Sequence, residues 1–500
     1  MLFIKSIGAR FALILVNLIF LTAAAQGVSS DSYTVAFNQD NPGEVAVTAT
    51  LTLENNYLKM SAFGPMPERW SDYVYNLKAS NLNGKPITLK LKDSTAWVLS
   101  GAQKAETITI SYKLRIDHED IAWPGGIDGV AFVRPWGVLL SGRSLFVMNG
   151  TNKKNIKVQF ITGQGWKVSC PWSKLNGAQN TYLVENQTQL QESLIVAGTH
   201  QEINIPNGDF NLKFVLGGDK ITNKKQEYID NAKKVLDYYV SLMGGNPIPG
   251  PNNNLSTAMV VLNQSEQIDG EVIGNHLSMF INPEGDMQSQ TIGWFLFAHE
   301  FFHLWNGKTL RFTNTTTDWF KEGVSNYYTL KALNQVGIVN EEVTKMVLNN
   351  LFYQRYINDS GYKNLAPSKA ASGFDKDNHW GIIYGGGLFA GICIDMEIRK
   401  NTENQLNLDY VMRELYTNFG GSDKLIDSNK LLATFNNFGN TNFTTFLDAY
   451  IHGTQPVPLH EYLTSAGVRV SYQEGQLILE HMAKKSKQQQ QSWSGFLGKF

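Results

Sequence analysis

Ala298-His299-Glu300-Phe301-Phe302-His303 gathers three titratable side chains in an otherwise apolar stretch. Helix positions four apart share a face, so His299 and His303 can present two imidazoles to one cation. Zinc accepts neutral imidazole nitrogen and carboxylate oxygen, and a catalytic zinc site keeps one position for water. Trp294, Phe295, Phe297, Phe301, Phe302 and Trp305 flank these groups. Burying two His and a Glu among them without partners is costly, and a bound cation removes that cost. Satisfied core histidines at helical spacing are the competing reading, and this motif alone leaves it standing.

Trp319-Phe320-Lys321-Glu322-Gly323 tips the balance, with eighteen residues between His303 and Glu322. A second helix folded back on the first brings Glu322 to the same ion, completing the two-His, one-Glu set of a catalytic zinc site. One Zn2+ held by His299, His303 and Glu322 is therefore expected, with Glu300 as general base on the attacking water. Read alone, Glu322 is a solvated helix charge.

The combination of His-Glu-x-x-His with a Glu inside Trp-x-x-Glu-Gly resembles the gluzincin metallopeptidases. His303-Leu-Trp-Asn306, Tyr327-Tyr328, Tyr384-Gly-Gly-Gly387 and Tyr462-Leu-Thr-Ser-Ala-Gly467 look like the glycyl aminopeptidase family in particular. The resemblance implies a thermolysin-like catalytic domain and hydrolysis of peptide bonds. It also implies that Tyr384 donates to the tetrahedral oxyanion; a turn tyrosine beside a glycine run is the alternative. The family usually carries a Lys where Gly386 stands. Asn326, one turn after Glu322, is either a residue orienting a ligand or an exposed helix Asn. The related enzymes hold the substrate's free amine with a Glu on a Gly-rich strand, and here Gly274 occupies that place within Gly270-Glu-Val-Ile-Gly-Asn-His-Leu-Ser278. Glu271 substitutes only if the loop is shifted, and otherwise reads as a surface carboxylate. An endopeptidase of the same fold, or a silent peptide-binding scaffold, stays open beside the aminopeptidase.

These residues need elements to position them. The 500 residues are 42% hydrophobic and 12% aromatic, enough for two or three packed domains and too apolar for a disordered chain. The near balance of 43 basic and 44 acidic residues gives no reason to expect nucleic acid or an anionic surface as partner, so a peptide is the expected one. Residues 1–25 have the layout of a secretory signal: Lys5 and Arg10, the apolar run Phe11 to Leu21, then Ala23-Ala24-Ala25. An exported, periplasmic or secreted protein without stable membrane association follows; an uncleaved anchor is the alternative.

Alternating runs such as Glu44–Leu53 and Glu106–Tyr112 predict an antiparallel, sandwich-like β domain over residues 26–205. From 206 to 466 the texture becomes mainly helical, giving an α+β multidomain protein. Lys224–Met243, Trp294–Trp305, Asp318–Asn334, Gly387–Arg399 and Leu408–Asn418 read as helices, and Ala258–Leu262 and Leu277–Ile281 as buried strands. Residues 467–500 are expected to form a short hairpin and, through Lys484–Gln491, a disordered tail, with too little chain for a PDZ-type domain. Cys170 and Cys393 could form one bridge in an exported protein, but they fall in regions expected to be different domains, and two such distant cysteines cannot build a thiolate zinc site.

Overall fold

A computed structural model describes residues 31–64, 70–118, 131–250, 255–373 and 376–499. The expected signal segment and Pro65 and Pro67 lie outside these residues. The N-terminal domain is built on a ten-stranded sheet. Strand Glu44–Thr52 shows why: Val45, Val47, Ala49 and Leu51 are buried while the residues between them face outward. Its antiparallel partner Thr107–Arg115 sets Tyr112 opposite Val47 and Ile110 opposite Ala49. One pair departs from the antiparallel expectation: Ser32–Phe37 runs parallel to Lys154–Ile161.

A four-stranded sheet joins this domain to the next. Its strands Gly137–Ser141 and Leu194–Gly198 are apolar without alternation and buried on both faces. Val138, Leu140, Ile195 and Ala197 pack into the N-terminal core. Leu139, Leu194 and Val196 point the other way, onto Val215, Met259, Val261 and Phe280 of a third sheet. Two sheets thus weld the domains face to face, and little freedom is left between them.

That third sheet has five strands, in the order Gln201–Asn207, Phe210–Gly217, Thr257–Gln264, His276–Ile281, Asp269–Ile273. Gln201–Asn207 belongs to it, antiparallel to Phe210–Gly217. The last strand is an antiparallel edge, beside the helix that carries the two histidines.

Helices cover the other face. Met287–Phe302 is capped by Asp286, whose side chain accepts from Ser289 N. Trp319–Gln335 and Gly381–Asn401 both begin with a π turn before continuing as α-helix. Gly381–Asn401 is apolar and long enough to span a bilayer, yet 89% of that apolar stretch is buried, and it packs in the core of the helical domain.

The hairpin of Val468–Gln473 and Gln476–His481 forms as expected. The disordered tail does not: Lys487–Phe496 is a helix. Ser486 and Gln489 close a capping box at its start, and Trp493 and Phe496 are buried against the body, with Phe496 5.6 Å from the Tyr327 ring. Low complexity hid a helix whose glutamines are good helix formers and whose two aromatics supply the anchor. Cys170 and Cys393 are free, each buried in its own core.

Candidate metal centre

His299 and His303 stand one turn apart near the C-terminal end of Met287–Phe302, with their rings 4.7 Å apart and nearly perpendicular. Their Nε2 atoms are 3.1 Å apart. Glu322 Oε2 lies 3.0 Å from His303 Nε2 and 3.4 Å from His299 Nε2. Metal bonds of about 2.0–2.1 Å at tetrahedral angles place ligand atoms about 3.3–3.4 Å apart, so this triangle has about the size that three ligands on one zinc ion require. Tautomers agree. His303 Nδ1 donates to Asn306 O at 3.0 Å, which leaves the Nε2 lone pair free. All three ligand candidates are buried, and no other such cluster occurs among the described residues.

Two helices must approach closely for Glu322 to arrive there. Gly323 and Gly387 make the contact: a Cβ on Gly323 would lie 2.2 Å from the Gly387 carbonyl carbon, and one on Gly387 2.1 Å from Trp319 O. The crossing carries Tyr384 to the same site. Its ring stacks on Trp380 at 4.8 Å and lies 5.9 Å from the His299 ring. The Asn326 amide donates to the Tyr384 carbonyl at 3.3 Å and ties the Glu322 helix to the tyrosine.

Glu300 Oε1 is 3.8 Å from His299 Nε2. Burial pushes its carboxyl up to about 7, with Glu322 and Glu271 adding to the rise and His299 and Lys376 opposing it. Burial also disfavours the Glu322 anion, but His303, Lys376 and Lys321 outweigh it and hold the carboxyl well below the usual range. Lys376 Nζ reaches Glu322 Oε1 at 2.5 Å and Lys321 Nζ at 3.2 Å, so the outer oxygen is paired while Oε2 faces the histidines. Burial drives the Tyr384 phenol well above 10, keeping it a donor at neutral pH.

The chain matches the Peptidase M61 N-terminal domain over residues 32–199 and M61 glycyl aminopeptidase over residues 294–384, together just over half its length. It belongs to the M61 glycyl aminopeptidase family. The second M61 match runs from Trp294 to Tyr384 and takes in His299, Glu300, His303, Glu322 and Asn326.

Among solved structures the fold resembles an aminopeptidase N family protein from Idiomarina loihiensis. The TM-score is 0.75 at 17% identity, over 92% of this chain and 82% of that one. An M1 zinc metallopeptidase from Deinococcus radiodurans follows at TM-score 0.53 and 12% identity, over 86% of this chain and 95% of that one. A mutant of that enzyme bound to a Tyr-Ser-Ala substrate gives 0.52 at 12% identity, over the same shares. At such identities the likeness is one of fold. No curated protein matches the chain by sequence.

This M61 member is thus a peptidase by family, with a donor set suited to a metal ion. Glu271, on the edge strand, is half-buried rather than a free surface charge, and close enough to raise the Glu300 carboxyl. Gly274 has φ +63°, and a Cβ there would meet Glu192 O at 2.4 Å, so a glutamate does not fit without displacing the N-terminal domain. The sequence reading had not picked out Lys376, Lys308 or the Arg143–Glu192 pair as parts of the site. They come from loops and from another domain, with no spacing that connects them to the zinc motif.

Proposed function

We propose that the chain is an exported zinc-dependent aminopeptidase that hydrolyses peptide bonds with Glu300 as general base. The observation that carries the reading is the triangle of His299 Nε2, His303 Nε2 and Glu322 Oε2, with Glu300 3.8 Å from the first of them. A zinc ion held by His299, His303 and Glu322 would supply Lewis acidity towards the scissile carbonyl and the attacking water, whose pKa it would bring towards about 7.

The chain's own groups do the rest. Glu300 accepts the proton of the attacking water and returns it to the departing amine. Tyr384, protonated and beside His299, donates to the oxygen where negative charge gathers. Glu271 is the carboxylate available to a free amino terminus, since Gly274 offers none. Export rests on residues 1–25 alone.

The test is a panel of free and N-acetylated peptides, digested by the native protein and by Glu300→Gln and read by mass spectrometry. Stepwise loss of amino-terminal residues is expected, with Glu300→Gln lowering turnover roughly a hundredfold or more while zinc is retained. Internal cleavage of acetylated peptides would replace the exopeptidase with an endopeptidase. If both zinc-loaded proteins are equally inert, the chain is a binding scaffold.

A further inference from the structure

Lys308 sits on the loop that leaves the metal-site helix, its backbone N–H donating to His303 O at 3.0 Å. The side chain is half-buried and makes no hydrogen bond or ion pair among the described residues. Every charged neighbour is committed elsewhere. Glu192 is held in a two-pronged pair with Arg143, Nε to Oε1 at 3.0 Å. Lys321 serves Glu322, and Glu300 belongs to the reaction.

The space beside Lys308 is a cleft of about 280 Å³ between the domains. Trp172, Glu192 and Ser193 line it from one side, Gly274, His276 and Lys308 from the other. Glu185, the second carboxylate of the lining, is exposed and bonded to Gln189. His276 is buried and held neutral. Lys308 is therefore the one cation of this lining without a partner among the described residues. Burial lowers its pKa, with Glu192 opposing the fall and the cations Lys321 and Arg143 adding to it. An arriving anion would replace the lost solvation with a charge-assisted hydrogen bond.

We propose that Lys308 receives a carboxylate of the peptide substrate, so that the cleft selects acidic peptides over their neutral amides. The proposal rests on the peptidase reading for the identity of the ligand. The Lys308 backbone N–H lies 3.0 Å from the carbonyl of His303, so a carboxylate held at this lysine sits one loop from the metal-site helix, within a short peptide's reach of the reacting bond. The carboxylate is either the peptide's C-terminus or an Asp or Glu side chain.

Calorimetry on zinc-loaded Glu300→Gln protein separates these, because binding is then read without turnover. The probes are Ala-Ala-Ala as acid and as carboxamide, and the carboxamides of Ala-Glu-Ala and Ala-Gln-Ala. One charged-to-hydrogen-bond interaction predicts that the acid form binds about tenfold tighter than its amide. Adding Lys308→Met should reduce that ratio below about twofold, and Lys308→Arg should keep it, since guanidinium also pairs with carboxylate. Preference within the first pair assigns the C-terminus, and within the second pair the side chain. Equal affinity for acids and amides, or a preference untouched by Lys308→Met, overturns the proposal. Acid-selective binding by a native protein that cleaves nothing would retain the Lys308 site and reject the peptidase. Cleavage without acid preference would do the reverse.

Discussion

Gly323 and Gly387 meet backbone to backbone, and the placement of the Glu322 carboxylate and of the Tyr384 phenol both depend on that contact. Each glycine sits beside a functional residue or its turn, so the crossing sets the site's dimensions.

Gly323→Ala puts a methyl group 2.2 Å from the Gly387 carbonyl carbon, far inside any allowed contact. Neither neighbour is a flexible side chain, so the helices must separate. We expect a loss of about 1–3 kcal/mol or more in denaturant unfolding, with reduced metal content in the protein that folds. A variant as stable and as fully loaded as the parent would show that the crossing does not set the site.

Removing one ligand gives a second test. His303→Ala leaves Glu322 and His299 facing each other with no third donor, and elemental analysis should find the zinc lost. Chelation of the native protein should abolish peptide hydrolysis, with zinc restoring it and lifting the thermal midpoint, because ion binding favours the folded state. Full zinc occupancy in His303→Ala would rule out the ligand set.

Tyr384→Phe removes only a hydroxyl, since stacking on Trp380 holds the ring in place. A donor acting only in the transition state predicts a fall in kcat of roughly 10²–10³-fold. KM and zinc content should change little. A rise in KM at constant kcat would instead make Tyr384 a substrate-binding residue.

The meeting of His299, His303 and Glu322 was legible because it is written in local spacing: four residues fix one helix face, and Trp-x-x-Glu-Gly marks the next helix. Alternation likewise exposed the strand Glu44–Thr52. What stayed hidden depends on contacts between distant segments. Lys376 reaches Glu322 across 54 residues of chain, and Glu192 meets Gly274 from another domain. The tail helix was lost to its composition, because a run of glutamines looks the same in solution or docked, and only Trp493 and Phe496 distinguish the two. Gly274 was noticed as a missing glutamate, but the backbone oxygen of Glu192 that forbids a side chain there has no trace in the local sequence.

Two buried histidines outside the His299–His303–Glu322 triangle should make the protein acid-sensitive. Burial lowers His276 to about 3 and His200 to about 4, against about 6.5 in an unfolded chain. His276 Nδ1 accepts from Met259 N at 3.2 Å, a bond that protonation of that nitrogen would break. Between the folded and unfolded values, the unfolded chain takes up a proton that the folded chain does not. Stability contributed by each group is therefore complete above about pH 6.5 and falls by about 1.4 kcal/mol per pH unit as the pH drops below it. The loss should level off near pH 4 for His200 and near pH 3 for His276. Denaturant midpoints at pH 7, 6, 5 and 4 should trace this slope, and His276→Gln should remove about half of it between pH 6 and 4. An unchanged slope in that variant would mean that other groups, carboxylates among them, govern the acid limit.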